Sequence, residues 1–176
     1  MMANIAPALE HTLKWEGGYQ KSSVDPGNYN SLDQLVGTNY GIAAFTAEDF
    51  IGFPPTEVMM RNLSIDFATC IYRQKFWARI KGDQIDNQSV ANILFDGHVN
   101  HGNTGIRIMQ DVLGVSRDAI VGPITLGRLN ASDPERTYIA YRQARKLFYY
   151  KIVANRPQMK KFLRGWLNRI DSFIDY

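Results

Sequence analysis

Apolar side chains recur at three- and four-residue spacing along most of this chain, and this period constrains its fold more than any other feature. No alternation of strands and helices accompanies it. The pattern therefore predicts a mainly α fold, with Thr46, Ser64 and a Ser132–Glu135 capping box as helix starts. The predicted helices cover residues 4–15, 46–50, 56–62, 64–80, 89–100, 104–113, 124–129, 132–155 and 158–174.

The helical period is absent between Gly17 and Gly41. This segment is rich in Gly, Asn, Ser and Asp, and it contains Pro26. Such a composition predicts a loop with a short β-hairpin. Long irregular segments in compact domains are often functional, so we expect functional residues here.

Charge is unevenly distributed along the 176 residues. The chain has 20 Lys and Arg against 17 Asp and Glu, which gives a net charge of +3. Residues 1–88 hold 7 basic and 10 acidic side chains (−3), and residues 89–176 hold 13 and 7 (+6). Nine basic residues and no acidic one lie between Arg142 and Arg169. The skew indicates either an anionic partner or a solvated helix face. Nothing resembles a reader of base edges, so we expect no nucleic-acid partner.

The cysteine count and hydropathy exclude other classes. A single cysteine, Cys70, rules out an intramolecular disulfide framework and a Cys-rich zinc finger. It lies mid-helix, so we expect a buried, inert thiol rather than a nucleophile. No apolar run approaches the roughly 18–20 residues of a membrane span. The first 15 residues lack an apolar h-region, so we expect synthesis in the cytoplasm without a Sec signal peptide.

Glu16 is the first candidate for chemistry. It follows Leu13 by three residues at the end of the first predicted helix, beside the apolar stripe. A half-buried carboxyl there favours the protonated form that a general acid needs. The neighbouring Gly17 and Gly18 would let a bulky substrate approach the backbone. An ordinary helix end is the alternative interpretation.

Asp25 follows nine residues later, in the Asp-Pro-Gly tripeptide of the loop segment. A carboxylate in such a loop would be solvated and ionised. One half-buried acid and one exposed base are the pair that glycoside hydrolysis uses. Asp-Pro-Gly is also a common turn, so Asp25 alone would not identify a site.

Several short motifs together resemble glycoside hydrolase family 108, a family of bacterial and phage N-acetylmuramidases, some labelled secretion activator proteins. The resemblance covers nearly the whole chain. In its first part the motifs are Glu16-Gly17-Gly18-Tyr19, Asp25-Pro26-Gly27, Thr38-Asn39-Tyr40-Gly41-Ile42, Ile71-Tyr72-Arg73, Phe76-Trp77, Gly82-Asp83, and Phe95-Asp96 with Val99-Asn100 and Gly102. A segment similar to the family's peptidoglycan-binding region follows, with Gln110, Leu113-Gly114-Val115, Asp118, Gly122-Pro123, Thr125-Leu126, Gly165-Trp166 and Arg169.

The resemblance implies a lysozyme-like, mainly helical fold that cleaves the bond between N-acetylmuramic acid and N-acetylglucosamine without a metal or other cofactor. It implies a catalytic lobe at residues 1–102 and a peptidoglycan-binding lobe at 103–176, packed as one compact unit. Glu16 matches the family's catalytic acid, and Asp25 matches the second carboxylate of phage-type lysozymes. The expected substrate-binding residues are Gly17, Gly18, Tyr19, Asn39, Tyr40, Asp96 and Asn100.

Departures from the family pattern leave two other functions open. About ten residues, 28–37, separate Asp-Pro-Gly from the Asn-Tyr-Gly-Ile motif, where the family usually has a few. Ala43 and Ala119 replace a usual Thr and Gly. These changes would suit a non-catalytic peptidoglycan-binding module. Alternatively, His98 and His101 with Asp96 would suit a zinc-dependent amidase, although this spacing is not HExxH.

The implied partners are peptidoglycan glycan strands. Anionic wall polymers or lipopolysaccharide would suit the basic C-terminal helices. We expect a monomer that acts on the cell wall or in the periplasm. For Trp77 and Trp166, which lie on apolar helix stripes, core packing is the expected role rather than sugar stacking.

Overall fold

The structure, a computed structural model, describes residues 2–173 and is mainly helical. Short 3₁₀ turns lie at Pro26–Asn28, Gly82–Gln84 and Pro157–Met159, and a π-helical segment, Tyr72–Trp77, continues α4. The α-helices are α1 Ile5–Leu13, α2 Ala44–Ile51, α3 Glu57–Arg61, α4 Ile65–Ile71, α5 Gln88–His101, α6 Asn103–Leu113, α7 Pro123–Ala131, α8 Pro134–Asn155 and α9 Lys160–Asp171. The predicted mainly α fold is confirmed. Ile174, the end of the last predicted helix, lies outside the described residues.

The observed first residues of the helices can be compared with the predicted N-caps. Ser64 caps α4 as predicted, because its side chain accepts a hydrogen bond from the backbone N–H of Phe67. Thr46 is not a cap, since α2 begins two residues earlier, after the extended residue Ala43. The Ser132–Glu135 capping box is also wrong.

Asp133 takes the capping role at α8 instead. Pro134 occupies the first helical position, so the residue before it is the N-cap. The Asp133 carboxylate accepts from the backbone N–H of Arg136 at 2.9 Å. The Ser132 hydroxyl donates backwards to the carbonyl oxygen of Leu129 at 2.7 Å.

Contacts along the chain define two compact units. One contains the residues up to Ala8 together with those from Phe76 onward, and the other is Leu9–Lys75. These boundaries differ from the predicted division after residue 102. The reason is that α5, before that division, packs against α6 and α8 after it.

The unit Leu9–Lys75 contains the irregular segment that the composition predicts. Its β structure consists of isolated antiparallel bridges between Gln20 and Thr38, between Tyr29 and Leu35, and between Asn39 and Ile42. Among the described residues these bridges do not extend into strands. Backbone hydrogen bonds in both directions between Gln20 and Thr38, each 2.9 Å long, hold the two ends of the loop together.

The other unit contains the helices α5 to α9. Its core includes Trp77, which is 0% exposed and lies edge-on to Phe95 at a centroid distance of 5.7 Å. Core packing of Trp77 is therefore confirmed. Within residues 2–173, no helix is both long and apolar enough to cross a membrane.

Candidate active site

Glu16 lies three residues after the end of α1 and is half-buried beside the turn that contains Tyr40 and Gly41. A Cβ atom at Gly41 would lie 2.6 Å from Glu16 Oε2 and 2.8 Å from the Tyr72 hydroxyl. Gly41 also has a φ of +72°, which disfavours other residues. The buried Tyr72 donates a hydrogen bond to the carbonyl oxygen of Tyr40 at 2.9 Å. The Asn-Tyr-Gly-Ile turn therefore has the close contact with Glu16 that a shared site requires.

Asp25 is half-buried in the same compact unit, and both of its carboxylate oxygens accept hydrogen bonds. Oδ1 accepts from the backbone N–H of Gly27 at 2.9 Å, which closes a local turn. Oδ2 accepts from Nε2 of Gln20 at 3.1 Å. These two bonds fix the orientation of the carboxylate, as a catalytic base or charge stabiliser requires.

Gln20 is a site residue that the sequence analysis missed. Besides Asp25, its side-chain amide contacts the buried Asn28 in both directions, at 3.0 and 2.9 Å. The Asn28 amide also donates to the carbonyl oxygen of Ser22 at 2.9 Å. Opposite Gln20, Thr38 places its hydroxyl 3.4 Å from the carbonyl oxygen of Gly27. Only the loop register brings these residues together, and the sequence does not specify that register.

Tyr19, a predicted substrate contact, anchors the loop to α3. Its hydroxyl lies 3.1 Å from the carbonyl oxygen of Val36 and 3.2 Å from Glu57 Oε1. Burial and the neighbouring Glu57 raise the pKa of Tyr19. Hydrogen bonds from Lys21 and Arg61 lower the pKa of Glu57 to about 2. The polar end of Tyr19 therefore contacts an ionised cluster of the protein.

Asn39 is corrected from a substrate contact to a structural residue. It is buried, and its side-chain amide donates to the carbonyl oxygens of Met60 and Arg61 at 3.0 and 3.1 Å. Its side-chain oxygen accepts from the backbone N–H of Tyr40 at 3.0 Å. The Asn39 side chain therefore makes its hydrogen bonds within the protein and stabilises the Tyr40–Gly41 turn.

Gly17, Gly18 and Tyr40 are at least partly exposed, so a substrate can reach them. Both glycines are exposed, and a Cβ atom at either would meet nothing within 4 Å. Tyr40 is half-buried with a φ of +49°, a backbone conformation that few non-glycine residues adopt. Strained backbone of this kind often accompanies function. Contact of these three residues with substrate remains a prediction.

Asp96 belongs to the other compact unit, and its predicted contact with sugar is wrong. The residue is 0% exposed. Its carboxylate accepts hydrogen bonds from Arg145 at 2.7 Å and from Arg169 at 2.8 Å. Burial opposes ionisation of Asp96, but the two guanidinium groups outweigh it and lower its pKa. Asn100, one turn later, is exposed and donates to the carbonyl oxygen of Asp96 at 2.8 Å, and its contact with substrate remains a prediction.

His98 and His101, considered above as zinc ligands, have separate surroundings. His98 Nδ1 lies 3.0 Å from the carbonyl oxygen of Gly102. The ring of His101 packs edge-on against Phe148 and Tyr149. In the part of the chain that the structure describes, no three His, Cys, Asp or Glu side chains form a group able to hold a metal ion.

Two further expectations about side chains are corrected. Cys70 is exposed rather than buried, because Ala68 and Ile71 are the buried residues of that turn of α4. Trp166 is only half-buried, and it lines a cavity instead of packing wholly in the core. Trp15, next to Glu16, is 39% exposed.

Comparisons with known proteins match two regions of the chain to family models. Residues 9–102 match the model of a family described as glycosyl hydrolase 108, and residues 104–171 match one described as a predicted peptidoglycan domain. These regions meet close to the predicted division after residue 102. No curated protein matches the chain.

Among solved structures, the chain is similar to the structure of Brucella abortus SagA. The two sequences are 25% identical, and the match covers 96% of this chain and 90% of that chain, with a TM-score of 0.79. A helical chain that pairs a glycosyl hydrolase with a peptidoglycan domain is a peptidoglycan hydrolase of the muramidase class. It belongs to the glycosyl hydrolase 108 family.

Proposed function

We propose that Glu16 is the general acid of this muramidase and that Asp25 is its base or charge-stabilising carboxylate. The observation that carries the proposal is the contact between Glu16 and the Gly41 turn, within the same compact unit that fixes Asp25. Both carboxyl groups are half-buried, so Asp25 is less exposed than its loop composition predicts. Asp25 differs from Glu16 in its polar loop, where hydrogen bonds from Gln20 and Gly27 orient both of its oxygens. Two carboxyl groups in different environments suit two different roles.

The proposed reaction is hydrolysis of the bond between N-acetylmuramic acid and N-acetylglucosamine. Glu16 donates its proton to the glycosidic oxygen as the C–O bond to the anomeric carbon breaks. A water oxygen bonds to the anomeric carbon and gives its proton to a carboxylate, for which Asp25 is the candidate. The products are a new reducing end and a free hydroxyl. The net reaction consumes one water molecule, and no metal or other cofactor takes part in this scheme.

The test is clearing of a peptidoglycan suspension by matched variants. Glu16→Gln keeps the shape of the side chain and removes its proton, so we expect activity to fall by at least about a hundredfold. Glu10→Gln, which changes an exposed glutamate of α1, is the control and should keep full activity. Clearing by Glu16→Gln at the wild-type rate would refute the assignment.

Asp25 has its own pair of variants. Asp25→Asn removes the charge, and we expect a loss of at least about tenfold. Asp33→Asn changes an exposed carboxylate of the same loop segment and should leave the rate unchanged. Equal rates for the two variants would exclude Asp25 as the second carboxylate.

The site of action and the additional partners are also proposals. The substrate forms the cell wall, so we propose that the protein acts there or in the periplasm, as a monomer. Glu16 and Asp25 lie within one compact unit of one chain, which supports a monomer. Within the basic stretch from Arg142 to Arg169, the exposed side chains support contact with anionic wall polymers or lipopolysaccharide; they are Lys151, Arg156, Lys160, Lys161 and Arg164. Cell fractionation and light scattering of the purified protein test these points.

A further inference from the structure

A cavity of about 670 Å³ lies in the unit that contains α5, α8 and α9. It is distinct from Glu16 and Asp25, which belong to the other unit. Asn100, one of the predicted substrate contacts, is among its lining residues. The lining residues with aromatic or basic side chains are His101, Phe148, Tyr149, Lys151, Arg156 and Trp166.

The helices that line the cavity are joined by a buried ion cluster. Asp96 on α5 accepts hydrogen bonds from Arg145 on α8 and from Arg169 on α9. Asp96 and Arg145 are both fully buried. Breaking such a cluster leaves an uncompensated buried charge, so the three helices are fixed relative to one another. Ligand sites are usually preformed in this way.

Aromatic rings form much of the cavity wall. Trp166 stacks on Tyr149 with a centroid distance of 4.8 Å and an interplanar angle of 16°. His101 meets Phe148 and Tyr149 edge-on at 5.2 and 5.0 Å. The buried Nε2 atom of His101 has no hydrogen-bond partner. A wall of this kind offers a ligand apolar and aromatic surface.

The remaining side chains give the cavity a positive charge. Lys151 and Arg156 are exposed and lie among its lining residues. The described lining residues include no Asp or Glu. Apolar surface combined with cations selects a ligand that is partly apolar and carries carboxylates.

We infer that this cavity binds the peptide-bearing muramic acid unit of peptidoglycan. The N-acetylated sugar contacts the aromatic wall, and stem-peptide carboxylates pair with Lys151 and Arg156. Uncharged N-acetylglucosamine gives the two cations no partner, so the peptide-bearing sugar is the complementary unit. The inference rests on peptidoglycan as the substrate, but it does not depend on the roles of Glu16 and Asp25.

The test uses the full-length Glu16→Gln variant, labelled with ¹⁵N, so that no turnover occurs. The probe is N-acetylmuramoyl dipeptide with free carboxylate, and the comparison compound has that carboxylate converted to an amide. The readout is the indole N–H signal of Trp166, identified with Trp166→Phe. We expect the signal to shift saturably with the acidic compound, and the amide to bind at least about fivefold more weakly.

Charge-reversal variants of the two lining cations test whether they contact the carboxylate of the muramoyl dipeptide. Arg156→Glu and Lys151→Glu change exposed side chains, so the fold should persist, and each should weaken binding about five- to tenfold. Arg136→Glu, an exposed arginine at the other end of α8, is the matched control and should bind like the parent.

Three results would overturn the inference. They are an unchanged Trp166 signal at millimolar probe, equal binding by Arg156→Glu and Arg136→Glu, and a Trp166 shift caused by lipopolysaccharide but not by the muramoyl dipeptide. None of them affects the clearing assay of the Glu16 variants. Failure of this site is therefore distinguishable from failure of the proposed catalytic roles.

Discussion

Gln20 and Asn28 exchange two side-chain hydrogen bonds, at 3.0 and 2.9 Å, and Gln20 simultaneously donates to Asp25. Asn28 is fully buried, which fixes this amide pair in one orientation. Asn28 is the first residue of the segment that separates Asp-Pro-Gly from the Asn-Tyr-Gly-Ile motif, and Gln20 lies before Asp-Pro-Gly. The added residues 28–37 are thus attached to the candidate base by an ordered network.

Gln20→Met should lower activity while the fold is retained. The variant removes the donor to Asp25 Oδ2 and both contacts with Asn28, so the carboxylate loses its orientation. A displacement of about 1 Å in a catalytic group can cost about a hundredfold in rate, and we expect a loss of ten- to a hundredfold in peptidoglycan clearing. Gln74→Met, at an exposed glutamine of the same unit, is the control. Equal rates for the two variants would contradict a positioning role for Gln20.

Gly41→Ala separates backbone strain from contact with the acid. Gly41 and Gly52 both have positive φ, at +72° and +85°, so alanine at either costs about 1–2 kcal/mol of stability. Only at Gly41 would the new Cβ atom lie 2.6 Å from Glu16 Oε2, since nothing lies within 4 Å at Gly52. We expect the melting temperature of Gly41→Ala to fall at least as far as that of Gly52→Ala, because only Gly41→Ala adds a steric clash. At a temperature where both variants are folded, we expect a loss of activity only for Gly41→Ala. Equal clearing by both would show that the Gly41 turn is not part of the site.

Asp96→Asn should destabilise the protein strongly. The change leaves Arg145, which is 0% exposed, without its anionic partner, and breaking a buried pair in this way costs about 3–5 kcal/mol. Asp111→Asn breaks an exposed pair with Arg117 and should cost less than about 1 kcal/mol. Urea unfolding measures both variants. A small loss for Asp96→Asn would refute the structural role assigned to it here.

Stability should fall on acidification, partly because of His101. Burial, with a smaller effect of Arg145, lowers the pKa of His101 to about 3, whereas an unfolded histidine titrates near 6.5. Below pH about 6.5 the unfolded chain therefore binds a proton that the folded chain excludes. The stability present above that pH is lost towards pH 3, by up to about 1.4 kcal/mol per pH unit.

His101→Phe keeps an aromatic ring between Phe148 and Tyr149 and removes the titration. We expect its free energy of unfolding to depend less steeply on pH than that of the wild type between about pH 6.5 and 4. Denaturant unfolding at several pH values measures the two slopes. Identical slopes would show that His101 is not held neutral by burial.

Local signals in the sequence predict much of the helical structure. Ser64 and Gly114 occupy the ends of α4 and α6 where capping chemistry places them. Asp133 takes the cap from Ser132 because Pro134 fixes the first helical position, a competition between neighbours that a motif search does not resolve. Glu16 also lies beside the Tyr40–Gly41 turn, in agreement with the prediction that Glu16 and Tyr40 belong to one site.

Residues whose roles depend on long-range contacts could not be predicted. Asp96 lies 49 positions before Arg145 and 73 before Arg169, so its burial depends on the packing of three helices. Gln20 contacts Asp25 and Asn28 only in the register of an irregular loop. Cys70 and Trp166 lie at the edges of apolar stripes, where spacing alone does not separate the buried from the exposed face.

The most direct test of the central claim is the chemistry of the ends that purified protein releases from purified peptidoglycan. We expect new reducing ends on N-acetylmuramic acid, identified by borohydride reduction and mass spectrometry. Glu16→Gln should abolish them, and Glu10→Gln should not. New free amino groups, reducing ends on N-acetylglucosamine, or undiminished release by Glu16→Gln would contradict it.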